Sequence, residues 1–403
     1  MASSSRSPTT HMLTSRNSTL VALAFSAACA SNNPTPEGGS GPLPDGQGRR
    51  QPLIGSASDS ARRNRVIENA RPDAPARAGL LVVANQQGAS ATIVNAASMQ
   101  TIATLKVGNG PHEAAVSPDG RWAVVTNYGD RSGPGNTLSV IDLAATPLPV
   151  VTRTIDLGQY QRPHGAAFIR DGHKLVVTSE ASQMLVVVDF ASGKVDTALA
   201  TNARGSHMVT VRRDGKKAWT ANIGDGSVTE FDLETLRTVR SLPAAPNDEG
   251  IATTPGGVLL WVGSNSAKTV TIIDTEKGET TATLKGFGAP YRIGISRTGR
   301  VAVVCDPTSN KLWLYEVGTN RSLATIDLAK EKDIAKPVGS TTPGEEGAGP
   351  EGVTFDPISD VAYITLHGTN QVIAVDLNTY KVVGAGSVGT GPDGIAFSQL
   401  VRR

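Results

Sequence analysis

One β-strand pattern recurs seven times along this 403-residue chain, and the last copy is shared between the two ends of the chain. The most complete copy reads GNGPHEAAVSPDGRWAVVTNYGDRSGPGNTLSVIDL, residues 108–143. Each copy has a V-x-V-I-D-like segment. The final residues of successive segments are, in most cases, roughly 40 to 50 residues apart. These final residues are Asn95, Asp142, Asp189, Asp232, Asp274, Glu316 and Asp376. A period of this length is typical of a solenoid, a propeller or a repeat array.

The pattern within each copy is that of short strands. Apolar residues alternate or form brief runs that are rich in Val, Ile and Thr and are bounded by Gly, Asp and Asn. Four such strands fit one copy, so the chain is predicted to be an all-β, seven-bladed β-propeller with four-stranded antiparallel blades. The split copy predicts how the ring closes. Residues 391–398 supply the first strand of the blade whose other strands come from residues 80–107, and this pairing removes an open sheet edge.

Turn residues support the same division of the chain. The segment SPDG at 117–120 and the RDG segments at 170–172 and 213–215 predict hairpins between first and second strands. The aspartates that follow the third strands are interpreted as turn formers. An Asp side chain at such a place accepts hydrogen bonds from backbone N–H groups two residues later.

Two segments carry a family resemblance. They are VVTN at 124–127, followed by LSVID, and the YIT and VIAVD segments of the last complete copy. They resemble the YVTN-repeat, YncE-like propellers, a broad group that also takes in surface-layer repeat proteins and lactonase-type propellers. The resemblance covers residues 78 to 400 and implies the fold. It implies no single activity, because propellers host unrelated functions.

Composition argues against a nucleic-acid partner. The formal net charge is +2, aromatic residues make up only 4% of the chain, and no basic stretch is interleaved with aromatics. DNA binding is known within the YncE-like group, but these residues do not support carrying it over. The chain also has no nucleotide-binding glycine loop, no G-x-S-x-G elbow and no C-x-x-C-H haem attachment motif.

Residues 1–30 are predicted to be a signal peptide. Two arginines precede the apolar run LVALAFSAA at 20–28, which is too short to span a bilayer and suits a signal-peptide core. Two cleavage sites compete, one before Ser31 and one before Cys29, which would then be acylated as in a bacterial lipoprotein. We favour lipidation of Cys29, although Ser26 stands where the lipoprotein motif prefers Leu.

The region behind the leader has the composition of a linker. Residues 31–76 are rich in Gly, Pro and Ser and predict a disordered tether, which leaves residues 77–403 for the propeller. This organisation predicts export to the periplasm or the outer cell envelope, with membrane contact only through an N-terminal lipid anchor. Cys305 has no disulfide partner once Cys29 is removed or lipidated, and it is interpreted as a buried thiol. The chain is expected to act as a monomer.

Strand direction gathers polar residues around one channel mouth. The loops that lead into the first strands and the loops that follow the second strands share one face of a propeller, and the first strands line its channel. Four of the six histidines fall at this mouth: His112, His164, His207 and His367. Convergent polar groups in a concave site are the default candidate for binding.

The residues at this mouth suit several kinds of chemistry. His164 or His112 is a candidate general base, with Glu180 or Glu351 as a second acid–base group. His112, His164 and His207 are also candidate ligands for a divalent or transition metal, although no close-spaced motif such as H-x-H occurs. Candidate ligand-binding residues are Arg292 as an anion clamp, His207, His367, Glu249, Asp306, Asp393, Asn127, Asn222 and Tyr291. A structural alternative is that the histidine of a P-H-G element bonds the backbone of the neighbouring blade.

Three functions follow as hypotheses. The favoured one is a binding or scaffold protein that presents the mouth to a small molecule or a protein partner. The second is a hydrolase that resembles the lactonase-type propellers and opens a lactone or ester. The third is a metal-binding or redox accessory protein. The candidate metal is the one cofactor that the sequence suggests.

Overall fold

The structure is a computed structural model in which residues 77–336 and 347–402 are described. The predicted signal peptide, Cys29 and the predicted tether lie outside the described residues. No helix within these two described ranges is long and apolar enough to cross a membrane.

Seven antiparallel sheets of four strands each make up the described chain. The strands of blades 1 to 3 are β1 Leu80–Asn85, β2 Ser90–Asn95, β3 Thr101–Lys106, β4 Pro111–Val116, β5 Trp122–Asp130, β6 Gly133–Asp142, β7 Val150–Asp156, β8 Pro163–Phe168, β9 Lys174–Ser179, β10 Met184–Asp189 and β11 Lys194–Ala200. Blades 4 and 5 contain β12 Ser206–Val211, β13 Lys217–Asn222, β14 Ser227–Asp232, β15 Arg237–Pro243, β16 Asp248–Thr253, β17 Leu259–Ser264, β18 Thr269–Asp274 and β19 Glu279–Lys285. Blades 6 and 7 and the closing strand are β20 Ile293–Ile295, β21 Val301–Asp306, β22 Lys311–Glu316, β23 Ser322–Asp327, β24 Pro350–Phe355, β25 Val361–Leu366, β26 Gln371–Asp376, β27 Lys381–Ser387 and β28 Pro392–Ser398. Two 3₁₀ helices, Leu328–Lys330 and His367–Thr369, follow β23 and β25.

The C-terminal strand closes the ring. Blade 1 has the strand order β28-β1-β2-β3, whereas every other blade takes four consecutive strands. In the antiparallel pair, Leu80 lies opposite Ser398 and Val82 lies opposite Ala396. The predictions of a seven-bladed propeller and of closure by the C-terminal strand are therefore confirmed.

The core lies between the blades. In β1, Leu80 and Val82 pack with Val125 of blade 2, while the alternate residue Leu81 packs with Tyr363 of blade 7. Successive residues of a strand point to opposite faces of the sheet. Because neighbouring blades cover both faces, all six residues of β1 are buried, which explains the unbroken apolar runs in the sequence.

The acidic residues after the third strands form turns. Asp232 Oδ1 accepts hydrogen bonds from the backbone N–H groups of Glu234 and Thr235, each at 2.9 Å. Asp376 Oδ1 accepts one from the N–H of Asn378 at 2.7 Å. The interpretation of these aspartates as turn formers is confirmed.

A bulge near the start of the inner strands, the first strand of each blade, shapes one channel mouth. In blade 2, Pro111 pairs with Asn127 and Ala114 pairs with Val125. The inner strand therefore has one extra residue between these two pairs compared with its partner strand. The same shift occurs in blades 1, 3, 4, 5 and 7. In blade 6 the inner strand begins only at Ile293. A bulge re-aims side chains out of the regular ladder.

Glycines beside the bulges let neighbouring inner strands approach each other. A Cβ on Gly250 would overlap the carbonyl oxygen of Tyr291, and one on Gly352 would overlap that of Asp393. A Cβ on Gly165 of the P-H-G element would stand 2.7 Å from the backbone nitrogen of Val209, so this glycine also allows close backbone packing between blades. Three blades carry a side chain at the equivalent position: Glu113, Met208 and Arg292.

Candidate functional site

The upper mouth is the channel opening where the loops that lead into the inner strands meet the loops that follow the second strands. We call the three residues that begin each inner strand, or lead into it, the leading triad. Each blade places the second residue of its triad at this opening: His112, His164, His207, Glu249, Tyr291, Glu351 and Asp393. Glu113 and Arg292 come from the next position in blades 2 and 6, and Glu180 follows β9 in blade 3. These ten residues form what we call the mouth network.

Arg292 crosses the channel from blade 6. Its Nε donates to Glu113 Oε1 of blade 2 at 2.9 Å, and its Nη1 donates to Glu249 Oε1 of blade 5 at 3.0 Å. Asp393 Oδ1 of blade 1 lies 3.7 Å from Nη2, and the Tyr291 ring lies 4.3 Å from the guanidinium carbon. The Arg292 side chain is only 4% exposed. Burial opposes its charge, but these neighbours outweigh burial and hold the pKa of Arg292 well above its usual value.

His207 links blades 3, 4 and 5. Its Nδ1 lies 2.8 Å from Glu180 Oε2, and its Nε2 lies 2.6 Å from Glu249 Oε1. Burial lowers the pKa of His207, but the two carboxylates outweigh burial and raise it to about 9. The same contact lowers the pKa of Glu249 to about 2 against the effect of burial. His207 is therefore a cation at neutral pH and has no free lone pair for a substrate proton or a metal.

His112 links blade 2 to blade 1. Its Nδ1 lies 2.6 Å from Asp393 Oδ2, and its Nε2 lies 2.9 Å from the Gln86 amide nitrogen. An amide nitrogen donates, so Nε2 carries the lone pair and Nδ1 carries the hydrogen that Asp393 accepts. Burial raises the pKa of Asp393, but His112 and Arg292 outweigh burial and lower it. The arrangement keeps Asp393 ionised and turns the basic nitrogen of His112 toward Gln86.

His164 lies between the other two histidines. Its ring centroid is 4.6 Å from that of His112 and 3.7 Å from that of His207. The residue is 1% exposed, and neither ring nitrogen has a hydrogen-bond partner among the residues that the structure describes. Burial first, and then the charge of His207, lower the pKa of His164 well below its usual 6.5. The ring is therefore neutral, which avoids repulsion with the His207 cation, and it has no solvent access as a base.

Tyr128 of blade 2 contacts Glu180 of blade 3. Its hydroxyl donates to Glu180 Oε1 at 3.0 Å. Burial and the nearby carboxylate raise the pKa of Tyr128 to about 12, so it stays a donor. Burial raises the pKa of Glu180, but His207 and Tyr128 outweigh burial and lower it. Glu180 is thus an ionised acceptor rather than a proton donor at neutral pH.

Glu351 has a different environment from Glu180. His367 Nδ1 lies 3.0 Å from Glu351 Oε2, and the other nitrogen of His367 lies 3.0 Å from the Gln87 amide nitrogen. Burial raises the pKa of Glu351 to about 7, even though the contact with His367 lowers it. Glu351 is therefore a carboxyl that can exchange its proton near neutral pH.

Three candidate ligand-binding residues bond within their own blades. Asn127 Nδ2 donates to Thr137 Oγ1 at 2.9 Å, and Asn222 Nδ2 donates to Thr229 Oγ1 at 2.9 Å. Asp306 accepts hydrogen bonds from the backbone N–H groups of Gly288 and Ala289 at 2.8 and 2.9 Å. These three side chains stabilise the ends of second strands and the loops beside them. The structure does not bring them to the mouth network.

The contacts of the histidines differ from the structural alternative. His112 and His207 bond carboxylates of neighbouring blades, and neither ring nitrogen of His164 in the P-H-G element has a partner, so the expected bonds to neighbouring backbone do not occur within the described part of the chain. The histidines nevertheless link blades through their side chains. The two described ranges contain no group of three or more His, Cys, Asp or Glu side chains arranged to hold a metal ion.

An open cleft of about 570 Å³ adjoins the mouth network. It is lined by Gln86, Gln87, Ala89, Gly110, His112, Tyr128, Gly129, Asp130, Arg131 and Arg162. The Arg162 guanidinium carbon lies 4.8 Å from the centre of the Tyr128 ring. Asp130 accepts a hydrogen bond from the Ser132 N–H at 2.7 Å, while Arg131 has no ion-pair or hydrogen-bond partner in the described part of the chain. The lining thus has two guanidinium groups against one carboxylate, that of Asp130, together with neutral polar side chains, and this set suits a polar or anionic ligand.

Sequence reasoning missed Glu113, Tyr128 and Gln86 as site residues. Glu113 breaks the glycine pattern of the leading triads, and its opposite charge to Arg292 at the equivalent position was an available signal. Tyr128 and Gln86 each stand one residue beyond the polar residue at the end of a second strand, as Glu180 does. Adjacent strand residues point in opposite directions. This one-residue step separates side chains that face the mouth from those that face their own blade.

Comparison with known proteins shows the fold alone. No family model matches the chain, and no curated protein matches its sequence. A chain of the hydrazine synthase of Kuenenia stuttgartiensis superimposes with a TM-score of 0.58 at 17% identity, covering 71% of this chain and 88% of that chain. A functionally unknown protein from Desulfotomaculum acetoxidans gives a TM-score of 0.63 at 15% identity, covering 80% of this chain and 99% of that one. The chain therefore shares the β-propeller fold with these proteins, and its resemblance to the YncE-like family stays a prediction.

Proposed function

We propose that this protein is an exported, monomeric cell-envelope propeller of the YncE-like kind, which works by binding a small polar ligand or a partner protein at the upper mouth. The observation that carries the proposal is the contrast between the mouth network and the cleft beside it. The charged groups of the network face one another, whereas the cleft has Arg131 and Arg162 beside the Asp130 carboxylate and neutral polar side chains. A concave site of several hundred Å³ with a few convergent polar groups is typical of small-molecule binding.

The internal pairing of the network favours binding over catalysis there. Two of the three histidines are unsuited to general-base chemistry, because His207 is protonated and His164 is buried without access to solvent. A general base must reach the proton that it removes and must have a pKa near the working pH. The network is better suited to holding the inner strands of several blades in one fixed arrangement below the cleft.

A ligand screen on the full chain tests this proposal. Thermal-shift screening of anionic and polar small molecules would be run on the wild type and on Arg131→Ala/Arg162→Ala. A matched control, Arg237→Ala/Lys381→Ala, removes two exposed cations from outer strands. We expect ligands whose stabilisation disappears in the cleft variant and persists in the control. Hits that survive in the cleft variant, or a screen without hits, would count against a binding site in this cleft.

A lactonase-type hydrolase is the second candidate, and His112 is the observation that favours it. Asp393 orients the ring, and the lone pair on Nε2 faces Gln86 at the edge of the cleft. In this proposal His112 accepts a proton from water as the water oxygen attacks the carbonyl carbon of a lactone. The ring C–O bond then breaks, and the protonated His112 returns the proton to the leaving alkoxide, which gives the hydroxy acid and restores the neutral ring. Assays on a lactone panel with wild type and His112→Gln test it. Turnover that His112→Gln abolishes would favour the hydrolase, and the absence of turnover across the panel would remove it.

Export and lipidation are tested separately. Cys29 would carry the lipid in the favoured proposal, so Cys29→Ser is expected to move the protein from the membrane fraction to the soluble envelope fraction of its host. Membrane association that persists in Cys29→Ser would contradict the anchor.

A further inference from the structure

The lower mouth, the channel opening opposite the mouth network, is framed by the hairpin turns between inner and second strands. In five of these turns the N–H of the closing glycine donates to the carbonyl oxygen three residues earlier, as from Gly172 to Ile169 at 2.8 Å and from Gly299 to Ser296 at 2.7 Å. In blades 2 to 7 the second residue of this turn is Pro118, Arg170, Arg213, Pro255, Arg297 and Pro357. In blade 1, where no turn joins the C-terminal strand to β1, Gln399 has the corresponding place after β28 and completes a set of seven.

This set of seven differs from a generic turn. Proline is favoured at this position of a type I turn because its φ is preset, and three blades follow that preference. Blades 3, 4 and 6 place arginine there instead. Six of the seven residues line a single cavity of about 960 Å³, together with Arg212, Asp214 and Gly256. Repetition of one backbone position around the ring therefore aims three guanidinium groups from three blades at one space.

The cavity carries an excess of positive charge. Its lining has four arginines against a single carboxylate, that of Asp214. Asp214 is paired with Arg212, whose Nε lies 2.8 Å from Oδ1 and whose Nη2 lies 2.7 Å from Oδ2. Arg170, Arg213 and Arg297 are exposed and have no ion-pair or hydrogen-bond partner within the described ranges. Three unneutralised charges around a concave surface raise the local concentration of anions.

The turns that carry these arginines are held against one another. A Cβ on Gly215 would stand 3.0 Å from the Cβ of Arg170, and one on Gly172 would stand 3.3 Å from the Cδ of Pro118. The absence of a side chain at Gly257 leaves room for the stem of Arg212. Each turn thus packs on its neighbour, so the arginines project from a rigid rim. Groups held on a rigid scaffold lose less entropy when they bind a ligand.

We propose that the lower mouth is a second binding site, whose ligand is a small multivalent oxyanion carrying two or more carboxylate or phosphate groups. The guanidinium fork matches the oxygens of either group with two parallel hydrogen bonds. Several arginines from separate blades favour an anion with several charged groups over a monovalent one. The cavity has the size of a small-molecule site rather than of a flat interface.

Isothermal titration of the full chain tests this site, with citrate as the carboxylate probe and tripolyphosphate as the phosphate probe. The site variant is Arg170→Gln/Arg213→Gln/Arg297→Gln. Its matched control, Arg237→Gln/Lys285→Gln/Lys381→Gln, removes the same charge from exposed positions on outer strands. Arg212 is kept because it already pairs with Asp214.

We expect the wild type and the control to bind at least one probe, and the site variant to bind it about tenfold more weakly or worse, because each lost arginine removes a charge-assisted hydrogen bond. Citrate alone would identify a carboxylate ligand, and tripolyphosphate alone would identify a phosphate ligand. The site is ruled out if the wild type binds neither probe, if the site variant binds as well as the wild type, or if the control loses as much affinity as the site variant.

Discussion

The two mouths of one channel are built by the same repeat but use charge in opposite ways. At the upper mouth Arg292 is almost fully buried and faces Glu113, Glu249 and Asp393. At the lower mouth Arg297, from the same blade, is exposed and has no partner in the described ranges. The difference follows from backbone position. Arg292 lies directly before an inner strand, beside the crowded channel, whereas Arg297 lies in a hairpin turn at the open rim.

This contrast separates stability from binding. Removing one partner of a buried ion pair lowers the free energy of unfolding by several kcal/mol, because the remaining charge is left without solvent or partner. Exposed cations contribute little to folding and remain free to meet a ligand. Substitutions within the mouth network should therefore act on the free energy of unfolding, and those of the exposed arginines at the lower mouth on affinity.

Arg292→Met should have the largest effect on stability. It leaves three carboxylates without their shared cation, and we expect the free energy of unfolding to fall by about 3 to 5 kcal/mol. Urea denaturation followed by far-UV circular dichroism measures it. Arg297→Met is the matched control in the same blade and should leave the urea midpoint nearly unchanged. Equal losses of stability from the two substitutions would contradict the claim that arginine has a structural role at the upper mouth and none at the lower mouth.

His207→Gln should change the pH dependence of stability. Because folding raises the pKa of His207 from 6.5 to about 9, its stabilisation is fully present below pH 6.5 and is lost as the pH rises through 9. The wild type should therefore lose on the order of 2 to 3 kcal/mol of unfolding free energy across that window. His207→Gln should be less stable at pH 6.5 and should show a flatter profile.

The control for this experiment is His173→Gln, an exposed histidine in a hairpin turn. It should keep the wild-type profile between pH 6.5 and 9. A profile in His207→Gln that declines as steeply as that of the wild type would show that another group causes the pH dependence.

Gly352→Ala tests how closely the inner strands pack at the upper mouth. Its Cβ would overlap the carbonyl oxygen of Asp393, so we expect a loss of about 1 to 3 kcal/mol from overpacking. Gly318→Ala is the control, because no atom lies within 4 Å of a Cβ built there. Thermal unfolding of both variants measures the difference, and similar midpoints would argue against a tight contact.

The smallest change in stability is expected at the lower mouth. Arg170→Gln, Arg213→Gln and Arg297→Gln should each shift the free energy of unfolding by about 0.5 kcal/mol or less. Combining them should, if anything, stabilise the protein at low salt, since like charges around one cavity repel each other. Urea denaturation at low and high salt checks this. A large loss of stability would mean that these arginines have structural partners.

The closed ring of blades could be predicted from the sequence, but the side-chain contacts at the upper mouth could not. The split repeat was enough to predict that β28 pairs with β1, because only that pairing completes a blade. Position in the repeat was also enough to place His112 and His207 at one mouth. Their partners were not predictable, because a bulge interrupts the alternation from which side-chain direction is inferred.

The second strands show the same limit at the level of one residue. Position in the repeat predicts both Asn127 and Glu180 as mouth residues, yet Asn127 bonds its own blade while Glu180 contacts His207. Asn127 ends the regular part of its second strand, and Glu180 stands one place beyond the end of its own. A single step reverses the side chain, and repeat alignment alone does not resolve that step.

The central claim, that the upper mouth is closed by ion pairs across the channel, is tested most directly by a double-mutant cycle. Arg292→Met, Glu113→Gln and the double variant would be compared with the wild type by urea denaturation. These residues lie in blades 6 and 2, and their side chains meet at 2.9 Å. We predict that Glu113→Gln costs much less in the Arg292→Met background, with a coupling of about 2 kcal/mol. Additive effects within about 0.5 kcal/mol would contradict a buried bridge between the two blades.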